Sequence, residues 1–369
     1  MKRAAAAAIS LMTGLAMLTG CSRAEVEETI QPLVADAIEE SDSEAEAVKE
    51  EDESPLIPEI DTDIKIHAGS RIAVVSKCVK GEYWKMVKKG MEDAVKEINK
   101  AYGYKKDDQI TMTFEGPDNE EDVETQINTI DAVIAENPDV LCISASDMDS
   151  CEAQLEAAKE NGIPVIAFDS NVAEKKLVKA YRGTDNVQVG KMAAYQLGSA
   201  LGKMGKVAVF SAQQKTKSVQ DRVEGFMNNI GKYGDIEVVE TIYSDQVDDM
   251  EASMKEVLEK YPTLDGVFCT NADITEMYLN LEKSDEHDAP ALVGVDATTK
   301  QQEAISNGEE IGCVSQQPYA MGYQTIWAAV ETTAPKKSVV IEKNVLSNPA
   351  WIDADCLDDP DYSGYLYTE

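Results

Sequence analysis

Few side chains in this chain could do covalent or metal chemistry. There are two histidines, His67 and His287, and seven cysteines. Neither histidine sits in a pattern that supplies a nucleophile for it to activate. The GxSxG elbow, the HExxH helix and the GxGxxG turn are all missing. Gly198–Lys203 is too short for a phosphate loop, and Met204 follows where that loop needs Ser or Thr, so it reads as a helix end. No stretch has the central glycine of a calcium loop. The cysteines form neither a CxxC pair nor a Cys/His metal spacing. The expectation is therefore no enzyme, no cofactor and no metal. Hydrogen-bonding groups, by contrast, recur in a regular way. Ser76-Lys77, Ser144-Ala145-Ser146-Asp147, Asp169-Ser170-Asn171, Asn271-Ala272-Asp273, Asp296-Ala297-Thr298 and Ser315-Gln316-Gln317-Pro318 each follow a short apolar run. Taken singly, each reads more readily as a helix N-cap. Six together predict a polar cleft that binds a small molecule without changing its bonds.

The elements that would position these groups follow from periodicity. Arg71–Ser76 is a short continuous apolar run, the mark of a strand buried on both faces. Trp84, Val87, Met91, Ala94, Val95 and Ile98 then recur at helical spacing. Strands are expected also at 110–114, 140–144, 164–168, 178–182, 206–211, 236–242, 264–270, 291–295 and 311–315. Helices are expected over Val123–Ile134 and Cys151–Glu160, then at 186–202, 217–231, 248–260, 272–283, 298–307 and 319–332. Such alternation predicts parallel sheets covered by helices on both faces. So many elements divide most economically between two doubly wound α/β lobes. Open parallel sheets bind ligands beyond the carboxyl ends of their strands, where the polar clusters fall.

The N-terminus has a different character. Lys2 and Arg3 precede a weakly apolar segment from Ala4 to Leu18, short for a membrane span and suited to a signal peptide. It ends in Leu18-Thr19-Gly20-Cys21, which resembles a bacterial lipobox and implies cleavage before Cys21 and lipidation of its thiol. Residues 22–66 hold sixteen Asp and Glu against three Lys and Arg. That composition predicts a disordered acidic tether, with a short helix around Val34–Ile38 as the weaker alternative. The whole chain has 369 residues and a formal net charge of −35, so nucleic acid and anionic bilayers would repel it. Cys142, Cys269 and Cys313 lie in apolar runs and read as core residues, while a disulfide among the others stays open. The acidic cluster Asp353, Asp355, Asp358, Asp359 and Asp361 reads as solvated surface.

From about residue 70 to 346 the chain resembles the ribose-binding type of periplasmic sugar-binding protein. RIAVVS, EYWKMVKKGMEDA, INTIDAVIAENPDVLCIS, NGIPVIAFDS, GTDNVQVGKMAA, QDRVEGF, VFCTNADI, LVGVDA and SQQPYAMG carry the resemblance through their order and spacing. It implies a type I periplasmic-binding-protein fold with crossovers near 183–185, 316–318 and 344–347. The first lobe would be 67–183 plus 318–345, and the second 184–317 plus 346–369. It further implies a monomeric receptor that captures a monosaccharide or polyol for the permease of an ABC importer. The same fold presenting ligand to a histidine kinase or chemoreceptor is the alternative. A sugar-responsive DNA repressor is disfavoured, because a basic helix-turn-helix would have to replace the acidic N-terminus.

The implied binding residues are Tyr83 and Trp84, whose rings would face the sugar, with Asp169, Arg222, Asn271, Asp296 and Gln316; Ser144, Asp147 and Ser170 are added as site residues from the polar strand-end clusters. Tyr83 and Trp84 could instead serve the helix core, and Arg222 could pair with Asp221 or Glu224 on the surface. The family's Asp-Arg pair is Asp169-Ser170 here, and the loop Lys77–Glu82 lacks the usual Asn-Pro. Ribose itself is accordingly doubtful as the ligand.

Overall fold

The computed structural model describes residues 57–281, 289–335 and 338–368. The signal segment, Cys21, the 34–38 segment and His287 lie outside these residues.

The first lobe is built on a parallel sheet of β1 (Arg71–Val75), β2 (Thr111–Glu115), β3 (Val140–Ile143), β4 (Val165–Phe168), β5 (Ala180–Thr184) and β11 (Asn344–Ser347), in the order β11-β5-β4-β3-β1-β2. The second uses β6 (Met204–Ser211), β7 (Asp235–Tyr243), β8 (Gly266–Cys269), β9 (Ala291–Val295), β10 (Gly312–Ser315) and β12 (Ala350–Ile352), in the order β12-β10-β9-β8-β6-β7. Only β12 runs antiparallel. Leaving out β11 and β12, the two orders coincide, so β4 and β9 are equivalent strands.

Both sheets are covered on both faces, and this explains the apolar runs. Along β1, Ile72 and Val74 point into one core while Ala73 and Val75 point into another, as a side-chain period of two requires. In β6, Ala208 and Phe210 divide from Val207 and Val209 in the same way. Helix α1 (Gly81–Ala101) packs with α9 (Pro318–Glu331) on the first lobe, and α4 (Asn186–Ala200) packs with α5 (Lys217–Ile230) on the second. Glycines let these pairs approach closely. A Cβ at Gly190 would stand 1.9 Å from the Arg222 carbonyl oxygen, and one at Gly225 2.1 Å from that of Val187. Gly90 and Gly322 do the same for α1 and α9.

Several expectations need correction. The final residues of the expected tether are packed, not loose: Ile66 is buried, Ile60 and Ile64 lie against the first core, and Tyr102 Oη donates to the carbonyls of Asp61 and Ile64. The apolar Ile60-x-x-x-Ile64-x-Ile66 spacing outweighs the local charge. The third crossing between sheets comes after Ser347, because Asn344–Ser347 first pairs with β5. The helix expected to reach 283 ends at Leu279. The six described cysteines are free and buried, with no disulfide among them. No helix among the described residues is long and apolar enough to cross a membrane.

Candidate functional site

Polar residues from the carboxyl ends of both sheets surround a cavity of about 680 Å³. The opposed lobes touch around it. Thr216 Oγ1 and Gln213 Nε2 donate to the Ser146 carbonyl at 2.6 and 3.0 Å, and the Ser170 and Ser218 hydroxyls meet at 2.7 Å. On another side the Thr299 amide donates to Glu82 Oε2 at 2.8 Å. The described arrangement is therefore a closed one.

Two aspartates occupy equivalent places. Asp169 follows β4 and Asp296 follows β9, and both have left-handed backbones, with φ of 54° and 79°. Non-glycine residues rarely adopt this conformation, which recurs at functional positions. Each amide still extends the sheet, donating to Arg182 and to Val314 respectively. The positive φ thus turns the chain sharply at the strand end and presents the carboxylate at the cavity wall.

Asp169 is 4% exposed and heavily supported. It accepts from Tyr83 Oη at 2.7 Å, Ser144 Oγ at 2.7 Å and Ser170 Oγ at 3.0 Å, and it pairs with Lys77 Nζ at 3.0 Å. Burial alone would raise its pKa, but Lys77 and the hydroxyl donors outweigh burial and hold the carboxyl below its usual range. Burial likewise opposes the Lys77 charge, and Asp169 and Glu120 more than compensate, so the ammonium ends above its usual value. Asp296 accepts from Gln316 Nε2 at 2.7 Å, Tyr367 Oη at 2.9 Å and the Ala272 amide at 3.0 Å.

Arg222 enters from α5. Its Nε donates to Asn186 Oδ1 at 2.8 Å and one terminal nitrogen donates to the Thr270 carbonyl at 2.7 Å. The surface alternative is overturned: Arg222 is 4% exposed, and Asp221 pairs with Lys217 instead. Asn271 both lines the cavity and caps α7 (Ala272–Leu279), accepting from the Ile274 amide. For this residue the cap and the cleft readings hold together.

Of the ten expected residues, Tyr83, Trp84, Asp169, Arg222, Asn271, Asp296 and Gln316 line the cavity. Ser144 and Ser170 do not; they stand behind Asp169 and orient it. Asp147 is a correction. Its Oδ1 accepts from the amides of Asp149 and Ser150, and its other oxygen lies 3.7 Å from Lys215, so it shapes the loop at the lobe contact. Tyr83 and Trp84 present little ring face, being 8% and 3% exposed. Their polar ends hold carboxylates: Tyr83 holds Asp169, and Trp84 Nε1 donates to Glu120 at 2.7 Å.

The sequence reading missed Glu120, Glu276 and Tyr367 as site residues, and it placed Lys77 and Asp273 in the polar strand-end clusters without assigning them to the site. Lys77 directly follows β1, a signal that was available. Tyr367 carried none: it comes from the C-terminal tail, which folds back so that its ring meets Tyr83 of the first lobe at 5.8 Å while its hydroxyl holds Asp296 of the second.

Comparison with known proteins agrees with this geometry. The family described as periplasmic binding protein domain matches residues 72–337. The ribose import binding protein of Bacillus subtilis is 26% identical over 220 residues, covering 60% of this chain and 71% of that protein. A solute-binding protein from Agrobacterium vitis bound with D-fucose has a TM-score of 0.72 at 26% identity, covering 81% of this chain and all of that one. Another from the same organism, bound with α-D-tagatopyranose, has a TM-score of 0.74 at 24% identity with the same coverage, and shows the shared fold. With two equivalent parallel-sheet lobes, a polar cavity between their strand ends and a family match across most of the folded region, this chain belongs to the periplasmic binding protein domain family.

Proposed function

We propose that this chain is an extracytoplasmic lipoprotein, anchored through Cys21, that captures a small sugar or polyol between its lobes and delivers it to an ABC importer. The observation that carries the reading is the matched pair Asp169 and Asp296, one from each lobe, both bent into the cavity that also receives Arg222. Ionised acceptors and a guanidinium bind hydroxyls more strongly than neutral groups, at roughly 1.5–3 kcal/mol each against about 1. Three such contacts supply much of the roughly 8 kcal/mol that micromolar affinity requires. Ligand bridging both lobes shifts the population from open to closed. The B. subtilis relative and the D-fucose-bound neighbour support a sugar as the ligand class. The chemistry of the lining fits binding rather than turnover, since the buried groups are held by one another and none is a nucleophile beside a base.

Isothermal titration against monosaccharides and polyols tests this. Asp169→Ala and Arg222→Ala are each expected to weaken the best binder at least tenfold. Unchanged affinity in both would refute the site.

A further inference from the structure

The charge of the cavity wall is unusual for a site that takes only neutral hydroxyls. Nine carboxyl side chains line it against three cations, Lys77, Lys80 and Arg222. Two of these cations are already committed: Lys77 to Asp169 and Glu120, and Lys80 to Asp118. The excess is concentrated. Asp273 and Glu276 stand three residues apart on α7, hence on one face of that helix. They face Glu120 of the opposite lobe across the cavity. Asp273 makes no side-chain hydrogen bond or salt bridge among the described residues, and the Lys77 charge offsets its neighbours only in part. Enclosure by protein, then the charges of Glu120, Glu276 and Asp296, push its carboxyl up to about 7.

Arg222 marks the same cavity independently as a place for a ligand. It is 4% exposed, yet its second terminal nitrogen has no partner among the described residues. Arg222 lines the cavity, so that nitrogen can meet an acceptor on a guest. A hydroxyl of the guest would supply one, and that hydroxyl would donate its hydrogen bond to Asp169.

Closing the lobes brings Glu120 toward Asp273 and Glu276, so like charges approach in a space of reduced dielectric. A neutral guest leaves that repulsion in place. A guest with a protonated amine offsets it, and gains a charge-assisted hydrogen bond as well. We infer that the preferred guest is a small polyhydroxylated molecule bearing a cationic amine, its hydroxyls toward Arg222 and Asp169 and its ammonium between Glu120, Asp273 and Glu276. This rests on the reading of the cavity as a sugar or polyol site.

The test is titration calorimetry at pH 7 with matched pairs: D-glucose with D-glucosamine, D-galactose with D-galactosamine, and sorbitol with glucamine. The amine should bind at least tenfold tighter in the best pair, and the advantage should shrink in 0.5 M NaCl. The double variant D273N/E276Q should narrow the amine-to-neutral ratio toward one. Equal or tighter binding of the neutral member overturns the inference while leaving the sugar-binding reading intact. Binding of no member of any pair overturns both. An amine preference that survives in D273N/E276Q overturns the placement of the ammonium.

Discussion

Lys77→Met offers the sharpest test of how the first lobe holds its half of the site. Lys77 Nζ lies 3.0 Å from Asp169 Oδ2, and the two side chains are 5% and 4% exposed. Removing one partner of such a pair leaves an uncompensated buried charge and costs roughly 3–5 kcal/mol. Asp169 would keep its donors Tyr83, Ser144 and Ser170, and the adjoining cavity admits water, so about 3 kcal/mol is expected. Asp169→Asn alone should cost about 2 kcal/mol, because Lys77 retains Glu120 at 3.6 Å. The double variant should fall short of the summed losses by about 2 kcal/mol, as expected for residues in contact. Urea unfolding of the full chain followed by tryptophan fluorescence measures all four corners of the cycle. Trp84 is a suitable reporter, with its ring 5.7 Å from Lys77 Nζ. The pH dependence follows from the directions of the two shifts. Asp169 titrates below its ordinary value and Lys77 above its own, so the pair contributes steadily between about pH 5 and 9. Its contribution fades as acid protonates Asp169 or as alkali discharges Lys77. A loss below about 0.5 kcal/mol, or simple additivity of the two single variants, would refute the account.

Asp273 gives the opposite pH signature. Its carboxyl is raised in the folded state, facing Glu120, Glu276 and Asp296 with Lys77 and Cys78 nearby. Between about pH 4 and 7 the native state binds more protons than the unfolded one, so stability falls as pH rises through that window. Asp273→Asn should therefore melt above the parent protein at pH 8 and level with it at pH 4; an equal offset at both would contradict this. Gly190→Ala should cost about 3 kcal/mol in urea, because its Cβ would overlap the Arg222 carbonyl and force α4 and α5 apart. It should also weaken ligand binding, since that displacement moves Arg222. Tyr367→Phe keeps the ring beside Tyr83 but removes the donor to Asp296, and a loss of about 1.5 kcal/mol is expected. Weaker ligand binding should accompany that loss, and unchanged affinity would show that Tyr367 does not orient Asp296.

What the sequence could determine alone was whatever depends on local pattern. Two-faced burial leaves continuous apolar runs, and these located β1, β3, β4 and β6 closely. Polar residues at the ends of such runs located Asp169 and Asp296, with help from a family resemblance, and the resemblance alone located Arg222 within its helix. Nothing in the pattern signalled β11 and β12. Each is a short edge strand, and β11 has alternating burial; pairing with β5 and β10 makes them strands. Asp147 looked like its neighbours in type and position, and only the path of its own loop turned it from the cavity. The role of Tyr367 and the raised carboxyl of Asp273 were illegible for a stronger reason. The role of Tyr367 comes from a tail returning to a residue 71 positions away, and the raised carboxyl of Asp273 comes first from its burial and then from charges that include Glu120 on the opposite lobe. A side chain's type and neighbours in sequence can set its own chemistry. The potential it feels depends on distances to charges, and those exist only once two lobes have folded and met.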